Sequence, residues 1–120
     1  MTPFAQILRD MVEQTPGMVG GAFAASDGEM VDSFATLDPD EWALITAHYG
    51  VLLAQMHAAF GTWHYGNVEY FVTQHERYDI VVHAVDLGYY ALIVMTTPAP
   101  LSRGMSLLQG SVARLKQEMA

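Results

Sequence analysis

Cysteine is absent from the chain. That removes disulfides, thiolate metal ligands and cysteine nucleophiles together, and it fits a reducing compartment. Base is scarce: five Lys and Arg stand against thirteen Asp and Glu, a formal net charge of −8 at pH 7. The five, Arg9, Arg77, Arg103, Arg114 and Lys116, form no run. Charge of that sign repels phosphate backbones and anionic lipid, so no nucleic-acid binding or electrostatic membrane attachment is expected. Charge of either sign is thin, at 15% of residues against a usual share of about 25%. Hydrophobic residues make up 52%. Disordered chains have the reverse balance, so these 120 residues fold, and their number suits one domain spanning 1–120. So few charges cannot cover a small protein's surface, and some apolar surface is expected to be buried against another chain.

Other absences bear on location. The N-terminus has no basic stretch ahead of an apolar core, so no signal peptide is read and a cytoplasmic setting is expected. Between Glu41 and Glu69 there is no Asp, Glu, Lys or Arg. A membrane-spanning helix needs about 20 mostly apolar residues. This stretch carries His48, Gln55, His57 and His64 and is interrupted by Gly50 and Gly61, so it reads as a soluble helix and no membrane insertion is expected. Repeats, low-complexity tracts and linkers are missing too.

What is present reads as helix, two strands, helix, three strands, helix. Thr2 can cap a first helix with Pro3 at its first position. Phe4, Ile7, Leu8, Met11 and Val12 then form one apolar face, and Thr15-Pro16-Gly17 ends it. Residues 18–26 are apolar and small and lead into Asp27-Gly28, a two-residue turn signal, with the return strand at 29–35. The glycines and alanines of the first strand call for a helix packed close to its backbone. Asp38 caps the second helix, Pro39 opens it and Glu41 is placed to reach back as in a capping box. That helix runs to about Phe60, with Trp42, Ile45, Tyr49, Leu52, Leu53, Met56 and Phe60 as its core stripe. Strands follow at 67–74, 78–86 and 89–97, the second turn falling at Leu87-Gly88. Pro98-Ala99-Pro100 breaks the last strand. A final helix lines up Leu101, Met105, Leu108, Val112, Leu115 and Met119. Short connections make the strands antiparallel neighbours, and the class is α+β with helices on both faces of the sheet.

Catalytic patterns are missing. The histidines show neither H-E-x-x-H nor H-x₃-H spacing, so no metal is expected. There is no G-x-S-x-G elbow and no phosphate-binding glycine loop, so neither a catalytic residue nor a cofactor is assigned. Gly104 and Gly110 are expected to pack close to the sheet. Asp38, Asp40 and Glu41 are explained by helix capping, and Met11, Met56, Met105 and Met119 by core filling.

The back of the second helix stands out. It presents Ala43, Leu44, Ala47, His48, Val51, Ala54, Gln55 and Ala58, and after Glu41 it has no charge. A solvated helix face should carry Lys, Glu or Arg. Ala47, Val51, Ala54 and Ala58 are small and three or four apart, which lets two helices approach to the lower end of about 8–10 Å.

The ordered set resembles the Roadblock/dynein-light-chain domain, also called the MglB-type domain. It comprises the amphipathic first helix, Pro16-Gly17, Gly20-Gly21-Ala22-Phe23, Ser26-Asp27-Gly28, Ser33, the long Asp-capped middle helix, the apolar strands and Ala99-Pro100-Leu101. The resemblance covers nearly the whole chain. It implies an α-β-β-α-β-β-β-α order, with a five-stranded antiparallel sheet, the middle helix on one face and the terminal helices on the other. It also implies an obligate dimer in which middle helices and third strands pair. For this chain that gives an interface of Leu44, Ala47, His48, Val51, Ala54, Gln55, Ala58, Val68 and Tyr70, with a partner-binding strip at Ala43, Thr46, Gly50 and His57. The implied role is a non-enzymatic regulator or adaptor of a Ras-like small GTPase, as in bacterial motility and polarity control. The alternative is a scaffold or light chain that binds a second Roadblock protein or a peptide. A small-molecule sensor or enzyme of profilin-like shape would need a pocket of converging polar groups, which the sequence does not show. No Arg lies in or beside the second helix in sequence, so no arginine finger is expected from that face.

Overall fold

The computed structural model describes residues 1–61, 64, 66–86, 88–98 and 100–120. Eight elements follow one another: α1 (Pro3–Gln14), β1 (Met18–Ala25), β2 (Met30–Ala35), α2 (Pro39–Phe60), β3 (Tyr70–Gln74), β4 (Tyr78–Ala84), β5 (Tyr89–Thr96) and α3 (Leu101–Met119). The strands form one sheet in the order β2-β1-β5-β4-β3, and each neighbouring pair is antiparallel. β2 and β3 are the edges. The expected class, order and layering are all present.

The alternation of side chains along β1, β4 and β5 divides the interior in two. Phe23, Val81, Ile93 and Met95 face α1 and α3 and pack with Leu8, Met11, Leu108 and Leu115. Ala22, Ala24, Ile80, Val82, Leu92 and Val94 face the other way and pack with Tyr49 and Leu53 of α2. α1 starts as read: the Thr2 hydroxyl accepts from the Ala5 amide at 3.0 Å. At its end the Met18 amide donates to Thr15 O at 3.0 Å, with Gly17 at φ +87°, the geometry of a type II turn. Gly104 packs on the sheet as expected, since a Cβ there would stand 2.3 Å from Met95 Sδ.

Five local expectations are corrected. The β1–β2 loop has three residues, 26–28, because the Ala25 amide bonds Glu29 O at 2.9 Å and the Gly28 amide bonds Ala25 O at 2.9 Å. That is a type I turn closed by a left-handed glycine, at φ +95°. The Asp38 carboxylate caps α2 through the Asp40 and Glu41 amides at 3.1 and 3.2 Å. Glu41, however, does not reach back, because Arg77 and Tyr78 hold its carboxylate. The strand expected at 67–74 is regular only over Tyr70–Gln74. Leu52 is 36% exposed, because the α2 core stripe narrows to Tyr49, Gly50 and Leu53. A Cβ on Gly110 would meet nothing within 4 Å and the residue faces water, so it does not pack on the sheet. The turn at Leu87-Gly88 and the Ala99-Pro100 entry to α3 each include one position, Leu87 and Ala99, outside the described residues. Gly88 itself is at φ +78°.

Two glycine contacts seat α2. A Cβ on Gly20 would stand 2.4 Å from the Trp42 ring, and one on Gly28 would stand 2.3 Å from Gly50 O. Gly28→Ala therefore combines a left-handed backbone with a collision and should cost about 1–3 kcal/mol. Gly110→Ala, on an open helix surface, should add about 0.4–1 kcal/mol by restricting the unfolded chain. Urea unfolding midpoints of the two variants should move in opposite directions.

Candidate interaction surface

α2 is 22 residues long and buries three of them. The outer side is apolar and open: Leu44 is 60% exposed and Val51 59%. No loop of the described chain roofs them. Ala43, Ala47, His48, Gln55 and Ala58 are exposed beside them, and Ala54 is half-buried. His48 Nδ1 lies 2.8 Å from Leu44 O, so that nitrogen carries a proton and the ring is held along its own helix.

The remaining expected residues divide. Val68 is half-buried and lines a groove with Leu52, Gln55, Met56 and Phe60, on the α2 side. Tyr70 pairs with His83 and stacks on its ring at 5.9 Å. Tyr70 alternates with Phe71, which packs into the α2-side core, so it points to the opposite face and joins α2 only through the open edge of β3. Thr46 turns its hydroxyl onto its own helix, to Trp42 O at 3.0 Å and Ala43 O at 3.1 Å. Gly50 is buried beneath the β1–β2 loop, where it lines a shallow groove with Ala47, Val51 and Ala54. His57 is half-buried, and its Nδ1 has no hydrogen-bond partner among the described residues.

Two apolar grooves run along the side of α2 nearest β3. One, of about 440 Å³, is formed by Leu52, Met56, Phe60, Val68 and Phe71. The other, of about 530 Å³, lies between Leu44, Ile45, His48 and Tyr49 of α2 and residues 75–78, with Ile80 below. Tyr49 separates them. Its hydroxyl bonds Thr73 Oγ1 and meets His75 Nε2 at 3.0 Å.

A second polar tie was not legible in the sequence. Arg77 Nη2 meets Glu41 Oε1 at 2.8 Å, the Tyr78 hydroxyl donates to the same oxygen at 2.7 Å, and the Arg77 guanidinium lies 5.3 Å over the Tyr78 ring. An arginine therefore does sit beside α2, delivered by the β3–β4 turn from 36 residues away. No local pattern marks it. Among the described residues no cluster of three His, Asp or Glu could hold a metal, and no helix is long and apolar enough to cross a membrane.

With this geometry the chain has the fold of the Roadblock/LC7 domains. No protein-family model and no curated protein matches the sequence, but solved structures superpose over almost its full length. A Roadblock/LC7 domain from Streptomyces avermitilis aligns with TM-score 0.79 at 16% identity, covering 96% of each chain. MglC from Myxococcus xanthus aligns with TM-score 0.71 at 23% identity, covering 98% of this chain and 99% of that one. The gliding protein MglB of Thermus thermophilus aligns with TM-score 0.81 at 16% identity, covering 98% and 90%.

The Glu41 tie has a titration signature. The hydrogen bond to the Glu41 carboxylate, then burial and the carboxylate's charge, raise the Tyr78 pKa above 10, with Arg77 opposing. Burial alone raises that of Tyr90. A raised phenol favours the neutral form in the fold, so its contribution is complete below about pH 10 and is lost as pH climbs through the raised value. Absorbance at 295 nm should show Tyr78 and Tyr90 titrating late. Glu41→Gln should bring Tyr78 back toward 10 and leave Tyr90 in place.

Proposed function

We propose that the protein is a non-enzymatic, cytoplasmic regulator or adaptor that works as a dimer through α2, with a Ras-like small GTPase as its partner, in a setting like that of the MglB and MglC gliding-motility proteins. The observation that carries this is the open apolar face of α2. Leu44 and Val51 would each gain roughly 1.5–3 kcal/mol from full burial. The interval from Glu41 to Glu69 has no Asp, Glu, Lys or Arg to make that face comfortable in water. Ala47, Ala54 and Ala58 allow a twin helix to lie close, His48 and Gln55 stand at the margin, and the unpaired edge of β3, with Val68 and Tyr70, extends the contact to the sheet. Ala43, Thr46 and His57 are the α2 positions left for the GTPase. Fold likeness to MglC and MglB supports the setting.

Any hydrolysis belongs to the partner. Arg77 is paired with Glu41 and laid on Tyr78, so acceleration comes from reshaping the partner's own residues. The second reading, a scaffold that binds another Roadblock protein or a peptide, is favoured by the edge of β3, where an added strand would find free backbone groups.

Light scattering should give about 26 kDa, twice the chain's 13.2 kDa. Val51→Glu should give the mass of a single chain that keeps the circular-dichroism spectrum of the fold, because Val51 contacts water in the isolated fold, with a melting temperature lowered by the lost dimer. A wild-type monomer at micromolar concentration would overturn the reading. Pull-down with a small GTPase loaded with GTP or GDP separates the roles: binding of one state marks a regulator, and failure of both marks the scaffold.

A further inference from the structure

The groove at the N-terminal half of α2 has a lining of one character and a rim of another. Leu44, Ile45, Tyr49 and Ile80 make it mostly apolar, with His48 and His75 also in the lining. Its volume of about 530 Å³ lies within the range of sites that hold a bound group, about 300–1,000 Å³. Glu76 stands in its wall and is exposed, while Asp38, Asp40 and Glu41 open the helix beside it. The nearest base, Arg77, is already held by Glu41 at 2.8 Å. The other four bases are Arg9 on α1 and Arg103, Arg114 and Lys116 on α3, on the far side of the sheet.

A twin subunit cannot satisfy this rim. Paired about a two-fold axis at the middle of α2, it lays the far half of its own helix, which has no Lys or Arg, along the acidic end, and its Arg77 is engaged as here. The small-residue middle of the helix needs no base. We infer that this groove docks an apolar side chain carried in a basic segment of a partner protein. The lining receives the apolar group, and lysines or arginines flanking it meet Glu76 and Asp40. This rests on reading α2 as an assembly surface, and it divides that helix: the outward stretch of Leu44, Ala47, Val51 and Ala54 serves the twin, and the groove on its β3 side, beside Ile45 and Tyr49, serves a partner of opposite charge.

The probe is a capped peptide, Lys-Lys-Phe-Lys-Lys, titrated into the full ¹⁵N-labelled chain. Lys-Lys-Ala-Lys-Lys and Glu-Glu-Phe-Glu-Glu serve as controls. Amide shifts are expected at Leu44, His48 and Glu76 to Tyr78 with the first peptide, weaker with the alanine peptide and none with the acidic one. Added salt should weaken the binding. Glu76→Lys should weaken it about three- to tenfold and Glu76→Gln by less, with melting temperatures unchanged because Glu76 sits exposed in a turn. Shifts elsewhere, equal binding of the acidic peptide, or indifference to Glu76→Lys would overturn the inference. Light scattering on the same samples keeps the two readings apart. A dimer that ignores the basic peptide defeats this inference alone, and a monomer that binds it defeats the dimer alone.

Discussion

The seating of α2 on the sheet is the constraint from which the rest follows. Three close contacts set it: the Trp42 ring on the bare backbone of Gly20, the Gly50 backbone against the Gly28 turn, and the Tyr49 hydroxyl on Thr73. The first two occur where a side chain has been omitted, so the helix lies low over β1 and the β1–β2 loop. A 22-residue helix held at that height buries only Tyr49, Gly50 and Leu53 fully. The same seat leaves β3 and the start of β4 under-roofed, and the two grooves beside them are the result.

The two faces of the sheet are therefore finished to different degrees. The face under α1 and α3 is complete. Phe4 stacks on Phe23 at 4.9 Å and Phe23 on Tyr89 at 5.3 Å. Bases on the outer surface find acids, Arg9 with Glu13 at 2.8 Å and Arg114 with Asp10 at 3.4 Å. Such exposed pairs add little stability, about 0–1 kcal/mol each, but they make a surface that water accepts. The α2 face has the opposite finish: its apolar groups are outside, its acids are gathered at one end, and its base, Arg77, is already engaged.

Legibility in the sequence tracks the range of the forces involved. Caps at Thr2 and Asp38, the stripes of α1 and α3, and the strand alternation depend on residues within one or two turns, and all were readable. The open back of α2 was readable too, because an uncharged helix face is a local pattern. Contacts set by tertiary height were not. Leu52 and Leu53 look alike in sequence, and only the narrow seat of α2 leaves one out. Gly50 looks like another small residue of the outer strip, yet it faces the Gly28 turn. Gly104 and Gly110 differ only in whether Met95 lies beneath. The pairing of Glu41 with Arg77 and Tyr78 joins segments from opposite ends of an uncharged stretch and has no short-range signature.

The pairing changes how the acidic opening of α2 is understood. Helix capping alone accounts for Asp38, whose carboxylate takes two backbone amides. It does not account for Glu41, which turns away from the cap and closes the groove by holding the β3–β4 turn through Arg77 and Tyr78. Without that tie, Tyr78 and Arg77 would have no anchor on α2, and the groove wall at residues 75–78 would keep only the Tyr49–His75 bond on the helix side, with Thr97 holding Glu76 O and Arg77 O from behind. One carboxylate thus sets both the shape of the groove and its charge, since it neutralises the nearest base and leaves Glu76 and Asp40 unopposed. An apolar cleft with an acid rim discriminates by sign before it discriminates by shape, and a second copy of the chain brings no free Lys or Arg to it.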